Sequence, residues 1–182
     1  MTAGKSGSGD RVAGYDLNGR PIAAGRWDRL RRVVTRRDRD DAGIAGVGDR
    51  ELIVVAQSYD DAIASSVALA ESAWQPQAQA VVCHLLAVPA DAISAVCELA
   101  GLDGYQPVYP VDIAPTKEGD SGHGDRSIGE GVVVPAGLTL VVLARVQLLD
   151  PLHLSQERSR MASLASRHRG VPIGWQVLQH PR

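Results

Sequence analysis

Apolar positions are few and isolated over the first twenty-five residues, and from residue 51 onward they fall into clear periods. Leu52 to Ala56 is a short apolar run that predicts a strand. Ser58 then stands at a helix N-cap position with Asp60 and Asp61 in the first turn. Tyr59, Ile63, Val67, Ala70 and Trp74 recur at three and four residues, so a helix is expected over 59–74, stopped by Pro76. Ala80 to Val88 is the next strand. Pro89 opens a helix with Ile93, Val96, Cys97 and Ala100 on one side, and Gly101 closes it. Tyr105 to Ile113 alternates, but Pro107 and Pro110 withhold ladder donors, which places it at an edge or a bulge. Leu138 to Leu149 is the strongest strand. Asp150-Pro151 supplies a cap and a first helical residue, Leu154, Met161, Leu164 and Ala165 line one side, and Gly170 ends the helix. Val171 to Gln179 is the last strand.

From Ala80 onward this order is strand, helix, strand, strand, helix, strand, the split βαβ arrangement of a ferredoxin-like sandwich. The expected fold is therefore α+β, a ferredoxin-like βαββαβ core over 80–180 with an additional strand-helix unit over 51–76. That unit either extends the sheet edge or shields the sheet's other face. The folded domain is expected to span 51–182, preceded by a flexible arm over 1–50. Residues 114–131, rich in Gly and polar side chains, read as a hairpin loop.

The length of 182 residues suits one domain with a modest tail, and 45% apolar content lies within the folded range. With no Phe and 4% aromatics, the core must be built from Ala, Val, Leu and Ile. The longest apolar runs fall well short of the roughly 20 residues that cross a bilayer, and the N-terminus lacks the apolar stretch of a secretory signal. A cytoplasmic protein is expected. Cys83 and Cys97 sit in apolar patterns and read as small core side chains.

Charge is unevenly spread. Residues 1–50 hold 11 Lys or Arg against 7 Asp or Glu, and the remainder 8 against 14. Arg26, Arg29, Arg31, Arg32, Arg36, Arg37 and Arg39 accompany Trp27, Leu30, Val33 and Val34 at roughly helical spacing, a basic amphipathic arm. Forked guanidinium donors suit phosphate and carboxylate alike, so RNA, acidic lipid or an acidic partner are its candidate contacts. Interspersed Asp28, Asp38, Asp40 and Asp41 dilute that field and allow local pairing instead.

No catalytic constellation emerges. The five His at 84, 123, 153, 168 and 180 are scattered, with no pair at the spacing that would place two ligands on one helix face. His153, Ser155 and Glu157 are neighbours at a helix start, where capping explains them. Gly4-Lys5-Ser6 lacks the upstream Gly and strand of a phosphate-binding loop. No cofactor or metal site is expected. The sheet face away from the helices is the better candidate. If Leu140, Val142, Ala144 and Val146 face the helices, Thr139, Val141, Leu143, Arg145 and Gln147 face outward, joined by His84 and Gln176. Such a mixed face suits a protein partner, a second copy of the chain, or the helix at 59–74. A metabolite-sensing dimer is the alternative class, and an enzyme whose groups assemble only in three dimensions is another. Direct RNA contact, if any, is assigned to the arginine arm, because the strands offer few aromatics for base stacking.

Asp150-Pro151 with its helix through Met161-Ala162, then Arg169-Gly170-Val171 and Gly174-Trp175, resembles the C-terminal half of the ribonuclease E activity regulator B family. The helix ending at Gly101, followed by Asp103-Gly104-Tyr105, is similar to that family's first helix and the Gly-Tyr turn after it. The resemblance spans about residues 80–180. Pro172-Ile173 stands where the family has Tyr-Asp, the loop at 114–137 is longer, and the arginine-rich arm replaces an acidic N-terminal region. It implies a non-catalytic regulator or adaptor acting through a protein partner in RNA processing.

Overall fold

A computed structural model of the chain describes residues 12–23, 46–49, 51–108 and 132–181. The arginines at 26, 29, 31, 32, 36, 37 and 39 and the loop at 114–131 lie outside the described residues. The elements are β1 (Val12–Tyr15), β2 (Pro21–Ala23), β3 (Ile53–Ser58), α1 (Ser65–Ala70), β4 (Ala80–Val88), α2 (Ile93–Leu102), β5 (Gln106–Val108), β6 (Thr139–Gln147), α3 (Pro151–Arg167) and β7 (Val171–Gln179). Among the described residues the architecture is mixed α+β: a five-stranded antiparallel sheet in the order β3-β7-β4-β6-β5, with three helices. β4 and β6 pair over nine residues each, from Ala80 opposite Gln147 to Val88 opposite Thr139. Among the described residues no helix is long and apolar enough to cross a membrane.

The helices share one sheet face. Val96 and Ala100 of α2 and Met161, Leu164 and Ala165 of α3 pack on Leu86, Val88, Val141 and Leu143. Leu69 of α1 and Leu154 of α3 pack with Val82, Trp175 and Val177. Each fully buried Leu of this kind stabilises the fold by about 1.5–3 kcal/mol. On the other face Val81, Cys83, Leu85, Val142, Ala144, Val146 and Leu178 form a second buried layer with Leu52. Both faces are therefore buried along β4 and most of β6.

The extra strand extends the sheet edge, and its helix joins the layer of α2 and α3 rather than covering the other face. That helix is also shorter than its periodicity predicts, covering Ser65–Ala70 instead of 59–74. Ser58 and Asp60 explain the difference. The Asp60 amide donates to Ser58 Oγ, the Ser58 hydroxyl donates to the Asp60 carbonyl, and the Ala62 amide donates to Asp60 Oδ1. These local bonds hold the segment in a turn that competes with helix. Arg158 of α3 then donates to the Ile63 carbonyl at 2.9 Å and to Ser65 Oγ at 3.1 Å, fixing where α1 begins.

Within the expected arm, residues 12–23 form an antiparallel hairpin. Asp16 Oδ1 accepts the Asn18 and Arg20 amides, and Gly19 supplies φ +69°, the left-handed conformation that such a turn requires. The hairpin docks on the body. Gln79 bonds both the amide and the carbonyl of Tyr15 at 2.9 Å, and the Leu148 amide donates to the Asp16 carbonyl.

Candidate functional site

Polar side chains converge between the sheet and α3. Arg145 and Gln147 lie two residues apart on β6 and so share a face; His84 projects from the neighbouring β4. From the facing helix comes Glu157, which occupies the apolar seam of α3 between Leu154 and Met161. Arg145 Nη2 donates to Glu157 Oε1 at 2.6 Å, Arg145 Nε to Gln147 Oε1 at 2.6 Å, and Gln147 Nε2 to Glu157 Oε1 at 2.9 Å. Arg145 Nη1 reaches the Asp103 carbonyl at 2.7 Å, which ties the end of α2 into the same cluster. His84 Nε2 lies 3.5 Å from Glu157 Oε2. The Arg145 guanidinium stands 4.4 Å from the centre of the Tyr105 ring, which meets the His84 ring edge-on.

Burial alone raises the Glu157 carboxyl. The hydrogen bond and charge of His84, the Arg145 charge and the Gln147 amide outweigh it and hold the carboxyl below its ordinary value of 4.5. Burial pushes the Tyr105 phenol up, reinforced by the Glu157 charge. Tyr105 Oη has no partner within hydrogen-bonding distance among the described residues. The N-terminal hairpin closes this cluster from one side: a Cβ at Gly19 would lie 2.5 Å from Arg145 Cδ.

These positions correct the expected outward face. His84, Val141, Leu143, Arg145 and Gln147 point toward the helices and are buried, whereas Leu140, Val142, Ala144 and Val146 lie in the opposite layer. The parity is inverted because Arg145 and Gln147 are matched by a carboxylate on α3, so polarity does not mark the solvent side. Gln176 lies on the other face from these, buried, its Nε2 donating to Tyr59 Oη at 2.7 Å and to Gln57 Oε1 at 3.2 Å. Of the seven residues only Thr139, at the strand's start, is exposed. The missed member is Glu157. Its signal was a carboxylate at helical spacing between Leu154, Met161 and Leu164, a place that demands a cationic partner from the sheet.

The remaining titratable groups do not join this cluster. His153 Nδ1 lies 2.7 Å from Asp150 Oδ2 at the N-cap of α3. Burial raises Asp150, but the His153 amide and ring outweigh it and hold the carboxyl below its usual range. His180 pairs with Asp49, and the Cys83 thiol is pushed up to about 12 by burial. Among the described residues no group of His, Cys, Asp or Glu is placed to hold a metal ion.

Surface grooves are found among the described residues. One, of about 470 Å³, runs beside the free edge of β3 and is lined by Val54 to Ser58 and Glu71 to Ala73. Its strand is blunted: Val55 is bulged out of the pairing with β7, and its carbonyl accepts the Ala73 amide. Another, of about 340 Å³, lies between α2 and α3. Leu99, Ala100, Met161 and Leu164 give it apolar walls, and Arg160, Arg167 and Asp103 stand along it. Leu99 is 45% exposed, and Leu102, one turn further along α2, is 83% exposed.

Comparison with protein-family models, with curated proteins and with solved structures finds no match to this chain.

Proposed function

We propose that this chain is a non-catalytic regulatory or adaptor protein of the cytoplasm that acts by docking a protein partner, in the manner of the ribonuclease E activity regulators it resembles. The fold behind this reading is a ferredoxin-like sandwich. The order β7-β4-β6-β5, antiparallel throughout and with α2 and α3 on one face, supports that assignment. The extra β3 would then be an appended edge strand.

One observation carries the docking reading: the exposed Leu99 lines a groove between two helices, and the exposed Leu102 stands one turn beyond it on the same helix. A single exposed Leu is ordinary, but two on one helix side at the end of a cleft form a patch that association would bury. The buried Arg145–Glu157 cluster has a different part. Its carboxylate already accepts from Arg145 and Gln147, and it acts as the pin that seats α3 on the sheet.

Affinity capture from native lysate with the intact chain tests this reading. A stoichiometric protein partner is expected with the wild type and is lost with Leu99→Asp/Leu102→Asp. Turnover in a broad hydrolase screen that disappears on a single His replacement would sink it.

A further inference from the structure

We infer that the α2–α3 groove takes an acidic amphipathic helix, a partner segment with apolar residues on one face and carboxylates along its border. The inference rests on the docking reading and adds the chemistry of the occupant.

The occupant's shape follows from the walls. Both are helices, so the groove offers side chains but no row of unpaired backbone amides and carbonyls. An extended strand would find nothing to pair with there, whereas a helix, whose backbone bonds are internal, needs only an apolar stripe. The exposed Leu99 on one wall, with the exposed Leu102 one turn beyond it, provides the surface for that stripe, and the buried Met161 and Leu164 form the groove's apolar floor.

Charge sets the rest. Arg160 and Arg167 are both exposed and stand seven residues apart on α3, two turns along the same wall. That separation is about 10 Å, and carboxylates two turns apart on a docked helix match it. Arg167 is oriented by its own helix, Nε donating to the Ser163 carbonyl at 3.2 Å. Among the described residues neither arginine has an ion-pair partner. Asp103 is the one carboxylate of the lining, so the groove is net cationic. The chain as a whole carries −2, so this preference belongs to the groove and not to bulk charge.

Selection of displayed random peptides against the intact wild-type chain tests the inference. The expected winners carry apolar residues at i, i+3 or i+4 and i+7, flanked by Asp and Glu. As synthetic peptides they should bind at least about tenfold more weakly to Arg160→Glu/Arg167→Glu and to Leu102→Asp. All three positions are exposed, so these variants keep the fold, which far-UV circular dichroism and the unfolding midpoint check. Winners that are basic, or whose binding ignores the arginine reversal, overturn the acidic helix. So does the absence of any winner. Binding to phosphatidylserine vesicles that vanishes in Arg160→Glu/Arg167→Glu assigns the arginines to a membrane surface and overturns it equally. The two readings fail separately: a native partner lost with the Leu variants but kept by the arginine reversal leaves docking intact and removes the acidic occupant.

Discussion

Arg145 donates to Glu157 at 2.6 Å across the contact between β6 and α3, and both residues are 5% exposed or less. A buried ion pair is costly to desolvate, and its value shows when only one partner is removed. Arg145→Met leaves the Glu157 carboxylate buried beside a thioether, with an expected loss of about 3–5 kcal/mol in urea unfolding. The double variant Arg145→Met/Glu157→Leu strands neither member of the pair and should recover most of that loss. Additive losses in the double variant would mean that the damage is packing and not an unpaired charge.

Acid sensitivity follows from the same carboxylate. Glu157 has a folded pKa below its ordinary 4.5, so its contribution is complete at neutral pH and is lost as the pH falls below 4.5 through the folded value. Asp16 is also lowered: the Arg20 amide bond is the main cause and outweighs partial burial. Asp150 is lowered as well, so both act in the same direction below their ordinary 3.8. The unfolding midpoint should fall steeply on going from pH 6 to pH 3. Glu157→Gln should start lower at neutral pH and fall less over the same range. Parallel curves for the two proteins would show that the titrating group is elsewhere.

Element order was legible in the chain because its punctuation is strong. Asp150-Pro151 starts α3 at the expected residue, with Asp150 Oδ1 accepting the His153 amide, and Ala80–Val88 and Val171–Gln179 are the expected strands. Facing was not legible. Alternation reports a sheet's inner face only when the other face is polar, and here Val81, Cys83 and Leu85 are as buried as Val82, His84 and Leu86. In β7 the count is further broken by a bulge. Leu85 pairs with Gly174 and Leu86 with Pro172, so Ile173 is skipped and falls in the layer opposite Trp175. The α2–α3 groove could not be found from the chain either, since Leu99 and Ala100 join Met161 and Leu164 only once the two helices lie side by side.

The N-terminal hairpin is held by few contacts, and Gly19 is the critical one. Gly19→Ala adds a Cβ at φ +69° and directs it into the Arg145 side chain, so the hairpin must shift or lift. Hydrogen exchange of the amides at 12–23 should speed up, while those of β4 and α3 keep most of their protection. Gln79→Leu removes both bonds to Tyr15 and should give the same pattern. Unchanged exchange at 12–23 in both variants would mean that these contacts do not hold the hairpin.

The end of α3 offers a test of opposite sign. Arg169 adopts φ 60°, the left-handed conformation that glycine takes readily, while Gly170 donates its amide to the Ala165 carbonyl and lies against β4. A side chain with a Cβ in that conformation is disfavoured by about 1 kcal/mol. Arg169→Gly should therefore stabilise the protein by a few tenths to about 1 kcal/mol. The Arg169–Asp91 pair that it forfeits is highly exposed and contributes little. Arg169→Ala forfeits the pair but keeps the strain, so it should give no gain. Gly170→Ala acts the other way, because its Cβ would run into the Ala87 carbonyl and the Val88 side chain, and neither the sheet nor the helix end can retreat cheaply. Thermal unfolding should thus rank Arg169→Gly above wild type and Gly170→Ala well below it. A midpoint for Arg169→Gly at or below that of Arg169→Ala would show that the turn after α3 stores no such strain.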